Sequence, residues 1–420
     1  MTDRGRPLRI GISTDGLLER EVDGRVQIAN GGVGVYIENL VRNLLAVDAT
    51  NEYFLIRWDG GHLDIYRDQR LRPVFVPATR FGGPGRWFDW QHRSVATELG
   101  LDLFHYPNQF GGILLPASVR RVVTLHDITP LLYPSFHPWR RVAGYRLLLR
   151  RALRAADAVI VDSSSAAHDL VARGMADAGR ISVIPLGVNE RFRPVTSTVA
   201  LTERYDLPDT FLLTVGVFEP RKNHTLLFEV LSRLHTRGLR IGLVIVGRDG
   251  WGWRSPLDDP QLAPLRPWVR IYRNVPDADL PELYCRAAAF VYPSLYEGFG
   301  LPILEAMACG TPVVTSNVSS MPEVAGSAAL LADPHSVEDF ADCLESLLRD
   351  AALRGRLAAA GRLRAAAYTW RRTAEQTLAV YERVCAGTHA GTPGGTRSPL
   401  PRSHLVAGAA GGIVGPRRGA

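Results

Sequence analysis

Short apolar strands alternate with amphipathic helices along this chain, and the alternation runs through twice. That double run constrains the fold more than any other feature. In the first pass, Leu8–Thr14, Glu52–Trp58, Leu101–His105, Arg121–Leu125 and Ala158–Val161 read as strands, and Val33–Leu45 has helical spacing. The pattern restarts after Ile181–Pro185 and a polar stretch, Gly187 to Pro194. Strands are expected at Phe211–Val217, Leu239–Val246, Val269–Tyr272, Ala289–Tyr292 and Pro312–Ser316. Helices are expected at Asn223–Leu234, Leu280–Ala288, Pro302–Cys309, Val337–Arg349, Ala351–Ala367 and Thr373–Val384. Continuous apolar strands separated by helices are the signature of parallel sheets covered on both faces. The expectation is an α/β chain of two doubly wound, Rossmann-like domains, 1–190 and 191–369. Such sheets bind ligands beyond the carboxyl ends of their strands, so the default site is the cleft between the halves.

Charge narrows the partners. The net charge is +7, with Lys+Arg 49 and Lys222 the one lysine, which leaves 48 Arg (49 − 1). Residues 386–420 hold four of these (Arg397, Arg402, Arg417, Arg418) and no acid, so the rest of the chain is near +3 (7 − 4). That tail is rich in Gly, Pro, Ser, Thr and Ala and is expected to be disordered. A nearly neutral body argues against nucleic acid as a partner. The start of the chain lacks the apolar core of a signal peptide, and no run of about 18 apolar residues is present. The four cysteines form no CxxC, which fits a reducing cytoplasm. The arginine excess fits codon drift, in which case a surviving lysine marks a place where chemistry requires one.

Four motifs carry chemistry. Gly31-Gly32-Val33-Gly34-Val35-Tyr36 opens a helix, where bare N–H groups attract phosphate. It is not the dinucleotide fingerprint, because Ile37 stands where the third glycine belongs. His126-Asp127 follows a strand directly. Pro220-Arg221-Lys222-Asn223 places two cations beside a helix N-terminus, a strong anion site. Glu297-Gly298-Phe299-Gly300-Leu301-Pro302-Ile303-Leu304-Glu305 sets two glutamates eight positions apart, one in a loop and one a turn into a helix. An acid in that apolar helix needs partners such as sugar hydroxyls.

Two further segments are read as structural. Asp277-Ala278-Asp279 has a metal-binding DxD spacing, but Asp279 precedes a helix and is expected to be its N-cap. Asp162-Ser163-Ser164-Ser165 is expected to be a cap cluster. In Arg140–Arg154 the apolar stripe Val142, Tyr145, Leu149, Ala152 and Leu153 is flanked by arginines. Such a helix either lies on an anionic membrane or packs its stripe on its own sheet, and the second reading is preferred.

Together these motifs resemble the retaining nucleotide-sugar glycosyltransferases of family 4, over roughly residues 8–385, with mannosyltransferase-like wording. Ser319-Ser320-Met321-Pro322-Glu323 and Tyr368-Thr369-Trp370 also look like family positions. The resemblance implies the GT-B fold, with a helix at about 370–385 crossing back onto the N-terminal, acceptor-side domain. It implies that Arg221 and Lys222 bind and stabilise the leaving diphosphate, aided by main-chain N–H groups near Gly32. Glu305 would hold ribose hydroxyls. Glu297 and the backbone of Phe299, Gly300 and Leu301 would contact the donor sugar. His126 would face the reacting carbon, with Asp127 in the donor site. It implies no cofactor and no metal, the two cations replacing a divalent ion, and a front-face mechanism. The expected donor is GDP-mannose, and the expected acceptor a saccharide or a lipid-linked one, in the cytoplasm or at the inner face of the membrane. UDP- and other NDP-hexoses, a GT-B epimerase or phosphorylase, and a non-catalytic nucleotide-sugar sensor are the rival readings.

Overall fold

The computed structural model describes residues 6–14, 19–22, 25–28, 32–57, 68–75, 90–108, 111–195, 201, 204–252, 255–273 and 275–387. Asn30, Gly31 and nearly all of the tail expected to be disordered lie outside the described residues. The strands are β1 (Arg9–Ser13), β2 (Glu19–Val22), β3 (Arg25–Ile28), β4 (Glu52–Arg57), β5 (Leu71–Phe75), β6 (Leu103–Tyr106), β7 (Arg120–Leu125), β8 (Ala158–Val161) and β9 (Ile181–Val183) in the first half. The second half supplies β10 (Phe211–Val215), β11 (Gly242–Gly247), β12 (Val269–Arg273), β13 (Ala289–Tyr292), β14 (Val313–Ser316) and β15 (Ala329–Ala332).

They form two sheets, ordered β5-β4-β1-β6-β7-β8-β9 and β12-β11-β10-β13-β14-β15, with β2-β3 a separate antiparallel hairpin. Every pairing within the two large sheets is parallel. Strands β6, β8, β13 and β14 are buried along their whole length, as expected for strands sandwiched between helical layers. In each sheet the chain builds one way from a central strand, then returns to build the other way. The reversal falls between β1 and β6 in the first sheet and between β10 and β13 in the second. A crevice opens at each such switch point.

The last helix, Trp370–Cys385, leaves the second half and packs against the helix Gly32–Val47 of the first. Thr369 caps it by accepting from Arg372 N, and Thr373 Oγ1 donates to the Pro185 carbonyl. Tyr381 Oη sits 2.6 Å from His105 Nδ1 beneath the first sheet. An apolar core is continuous from Tyr36 and Leu40 through Leu186 and Trp370 to Phe299 and Ile303, so both halves share it.

The basic helix runs through Trp139–Gly144, a π-helical turn at Tyr145–Leu149, and Arg150–Ala155. Its stripe (Val142, Tyr145, Leu149, Ala152, Leu153) is fully buried, with Tyr145, Leu149 and Leu153 in the core of the first sheet. The stripe itself therefore has no face left for a membrane. Trp139 and Leu147, 73% and 64% exposed, point outward instead.

Asp279 needs correction. It occupies the N-cap position but makes no cap bond. Its carboxylate accepts from Tyr205 Oη at 2.6 Å and Arg204 at 2.9 Å, because these two donors, from the segment before β10, face it more directly than the helix N–H groups. Asp277 pairs with Arg191 at 3.1 Å. The Asp162 cluster is also only half a cap. Ser163 Oγ accepts from Ala166 N, while Asp162 turns away toward His126.

Candidate active site

At the second switch point the loops after β10 and β13 lie side by side. The first ends in a 3-10 turn, Pro220–Lys222, and Asn223 follows in the left-handed region (φ 54°) to start the helix His224–Thr236. Asn223 Nδ2 donates to the carbonyls of Pro293 and Pro334, which ties this turn to the neighbouring loop. The turn aims both cations inward. Lys222 Nζ lies 2.8 Å from Glu297 Oε1 and 2.5 Å from Tyr292 Oη, above the Tyr292 ring. Arg221 pairs with Glu297 Oε2 at 2.6 Å and Glu219 Oε1 at 2.5 Å, and donates to the Tyr296 carbonyl.

Two cations therefore face two carboxylates in a buried wall. Burial alone would raise the Glu297 pKa, but the Arg221 and Lys222 charges outweigh it and hold it near about 2. Burial lowers the Lys222 pKa, partly offset by Glu297. Buried ion pairs of this kind are poor sources of stability, because desolvation takes back most of the attraction. Their presence at a switch point is better explained by a ligand that competes for the cations.

The Glu297 loop is held from beneath. Ser319 Oγ accepts from Glu297 N and donates to Glu297 O, and Ser320 Oγ donates to the carbonyls of Glu297 and Phe299. Gly298 presses on the first half: a Cβ there would lie 1.6 Å from the His126 carbonyl oxygen. Gly300, at φ +112°, turns the chain into the helix Leu301–Ala308. One turn in, Glu305 accepts from Tyr284 Oη at 2.8 Å. Burial pushes its pKa up to about 7, against that bond.

The first half supplies the opposite wall. His126 stands at the carboxyl end of β7. Its Nδ1 is 2.7 Å from Asp162 Oδ2 and its Nε2 3.1 Å from the Pro107 carbonyl, with Tyr36 edge-on at 4.7 Å. Asp127 Oδ1 accepts from Thr129 N and Oγ1. Gly32, the first residue of its helix, lines the cleft.

One cavity of about 400 Å³ joins the walls. Gly32, His126, Asp127, Arg221, Lys222, Glu297, Phe299, Gly300, Leu301 and Glu305 all line it. Sequence reasoning missed Asp162, which it read as part of a cap, and Glu219, which stands just before the Pro220-Arg221-Lys222-Asn223 motif. Only three-dimensional pairing reveals either. Among the described residues no cluster of three metal-ligating side chains occurs.

Two parallel α/β sheets facing across a cleft, with paired cations at a switch point and a carboxylate on the adjoining helix, make up the GT-B architecture of glycosyltransferases. The family profile for "Glycosyl transferases group 1" matches residues 203–364, and that for "Glycosyltransferase Family 4" matches residues 30–192. The chain belongs to this glycosyltransferase family, as a mannosyltransferase-like hexosyltransferase. It is 34% identical to the O-antigen chain mannosyltransferase B of Escherichia coli over 319 residues, covering 74% of this chain and 81% of that protein. It is 31% identical to the Escherichia coli serotype-specific mannosyltransferase WbdA over 284 residues, 63% of this chain but 34% of that longer protein. Among solved structures it resembles a sucrose-phosphate synthase from Thermosynechococcus elongatus (TM-score 0.68, 22% identity, 91% and 100% of the two chains). It also resembles Anabaena Alr3699/HepE in complex with UDP and glucose (TM-score 0.66, 19% identity, 89% and 98%).

Proposed function

We propose that this chain transfers mannose from GDP-mannose to a hydroxyl of a saccharide or lipid-linked acceptor, with retention at the anomeric carbon. The observation that carries the reading is the buried Arg221–Lys222–Glu297 cluster at the switch point, inside the cavity that Glu305 also lines. The donor diphosphate takes the place of Glu297 on the two cations. Glu297 is then free to accept from hydroxyls of the donor sugar, and Glu305 from the ribose. The N–H groups at Gly32 point at the same phosphates. His126 and Asp127 close the site from the acceptor side, and the backbone at Phe299, Gly300 and Leu301 follows the sugar ring.

The transition state is oxocarbenium-like, and negative charge grows on the departing diphosphate. Fixed cations aimed at that charge lower the barrier by about 3–4 kcal/mol per key contact, by analogy with oxyanion donors. No cavity carboxylate is needed as a nucleophile, because the leaving diphosphate oxygen takes the acceptor proton on the same face. Arg221 and Lys222 do the charge neutralisation that a divalent ion does elsewhere, so a chelator should leave the rate unchanged.

The test is nucleotide release from a panel of GDP-, UDP-, ADP- and dTDP-sugars, followed by the anomeric configuration of the product. Release of GDP with a retained product supports the reading, and an inverted product rejects the mechanism. UDP-hexose is the second reading, favoured by the likeness to a fold solved with UDP and glucose, and the same panel separates the two. Turnover without acceptor would point to an epimerase, and a requirement for free phosphate to a phosphorylase. No helix among the described residues is long and apolar enough to cross a membrane. A cytoplasmic protein touching the inner membrane face through Trp139, Leu147 and the arginines around them would sediment with anionic liposomes in a salt-sensitive manner.

A further inference from the structure

Asp162 stands at the carboxyl end of β8, one strand across from His126 on β7, and its side chain is only 3% exposed. It lines the cavity yet belongs to none of the motifs that explain donor binding. It is not a helix cap, since Ser163 performs that task. Its Oδ2 is 2.7 Å from His126 Nδ1, while Oδ1 has no hydrogen-bond partner among the described residues. Among the described residues Asp162 is therefore committed to one neighbour, the histidine.

The second ring nitrogen fixes the proton count. His126 Nε2 faces the Pro107 carbonyl at 3.1 Å, and a carbonyl oxygen only accepts, so Nε2 carries a proton. The short contact between Nδ1 and Oδ2 requires one more proton, on either atom. The pair is thus a neutral unit that holds a shared proton in the cleft wall. Among the described residues the other titratable groups around the ring do not supply this effect. His105, on β6, is neutral, with its nitrogens bonded to Tyr381 and Thr124. Tyr36, edge-on from the helix Gly32–Val47, bonds Thr124. Asp127 adds an attraction, but its Oδ1 is turned to Thr129.

We propose that Asp162 is a positioning residue for sugar transfer: it fixes the His126 ring in the cleft wall and keeps the shared proton on the pair through neutral pH. The main-chain carbonyl of His126 abuts Gly298, so the segment that carries the ring also braces the Glu297 loop. Burial by itself would lower the His126 pKa, but the Asp162 charge outweighs it and the shift is upward. Without the carboxylate, burial acts with far less opposition, and the ring titrates below its wild-type midpoint, at or under the ordinary histidine value of about 6.5.

The inference rests on the glycosyltransferase reading, and wild-type donor turnover is measured first; its absence counts against that reading alone. The pH profile of kcat/KM is then compared among wild type, Asp162→Asn and Asp162→Ala. Asparagine offers His126 Nδ1 either an acceptor or a donor, so the ring stays put while the proton is lost. Asp162→Asn should approach wild type only at the acid end of the profile and lie at least about tenfold below it by pH 8, where wild type stays flat. Asp162→Ala should be at least about tenfold slower throughout, mostly in kcat, because the ring is also released. A flat, wild-type profile for Asp162→Asn overturns the proposal. Histidine NMR, with the His126 signal assigned by His126→Asn, gives a second readout that does not need the alanine variant to fold. The His126 midpoint should lie above the ordinary value in wild type and fall to or below it in Asp162→Asn. An ordinary midpoint in wild type also overturns the proposal.

Discussion

Lys222 and Glu297 neutralise one another in the cleft wall, so their substitutions should act in opposite directions on nucleotide binding. Lys222→Ala removes a diphosphate partner and leaves Glu297 with one cation. GDP affinity should fall, and donor turnover should drop at least about a hundredfold, the loss expected from one preorganised charge contact. Lys222→Arg tests geometry alone, since a planar fork does not reproduce a point charge over the Tyr292 ring. Glu297→Gln frees the cations, so GDP binding should tighten while transfer collapses; titration calorimetry and turnover read the two effects separately. Glu305 titrates upward, to about 7. The unfolded chain ionises first, so between the ordinary carboxyl range and about 7 this group costs stability as pH rises. Glu305→Gln should therefore melt higher than wild type at about pH 8, with the gap closing below about pH 5, yet bind donor less well. Donor KM in wild type should improve as pH rises through about 7. The residues that carry these effects were legible in the sequence because each sits in a compact motif of unusual composition. Asp162 was not: its partner lies 36 positions away, and beside three serines it reads as part of a cap.

Loops clamped at strand ends make the site, and the tightest clamp is Gly298 against the His126 carbonyl. Gly298→Ala forces backbone against backbone, so it should cost more activity than any other small substitution in the cavity wall, with little change in far-UV circular dichroism. The closing helix is stapled by Tyr381, whose hydroxyl is the partner of His105 Nδ1. Tyr381→Phe leaves that buried nitrogen without a partner and should destabilise by about 1–3 kcal/mol in urea unfolding. Most strands and helices of both sheets were readable from apolar runs and helical spacing, within a few residues at the ends. Strand β5 escaped because Pro73 interrupts it; a proline is tolerated there because β5 is an edge strand, paired on one side only. The helix Trp90–Glu98 escaped for want of an apolar stripe. The stripe of the basic helix suited either a bilayer or its own sheet, with the sheet preferred, and burial of Tyr145 and Leu149 decides for the sheet.

The halves are joined where the chemistry is. Ser163 Oγ donates to the Gly298 carbonyl, Tyr296 Oη to Asp169, and the Glu323 carboxylate accepts from Ser164 N and Ser165 N at the start of a first-half helix. These bonds cross between the halves, so the loop bearing Glu297 cannot shift without loosening them. Glu323→Ala should raise the donor KM more than it lowers kcat, and small-angle scattering should show a larger radius of gyration without donor. None of these contacts was visible in sequence, since each joins residues more than a hundred positions apart, apart from the general expectation of a cleft between two sheets. The central claim is that the Arg221–Lys222 pair receives the donor diphosphate, and GDP release from GDP-mannose measures it most directly. Wild type should release GDP in the presence of acceptor, and folded Lys222→Ala should do so at least about a hundredfold more slowly. Equal rates for the two proteins would contradict the account.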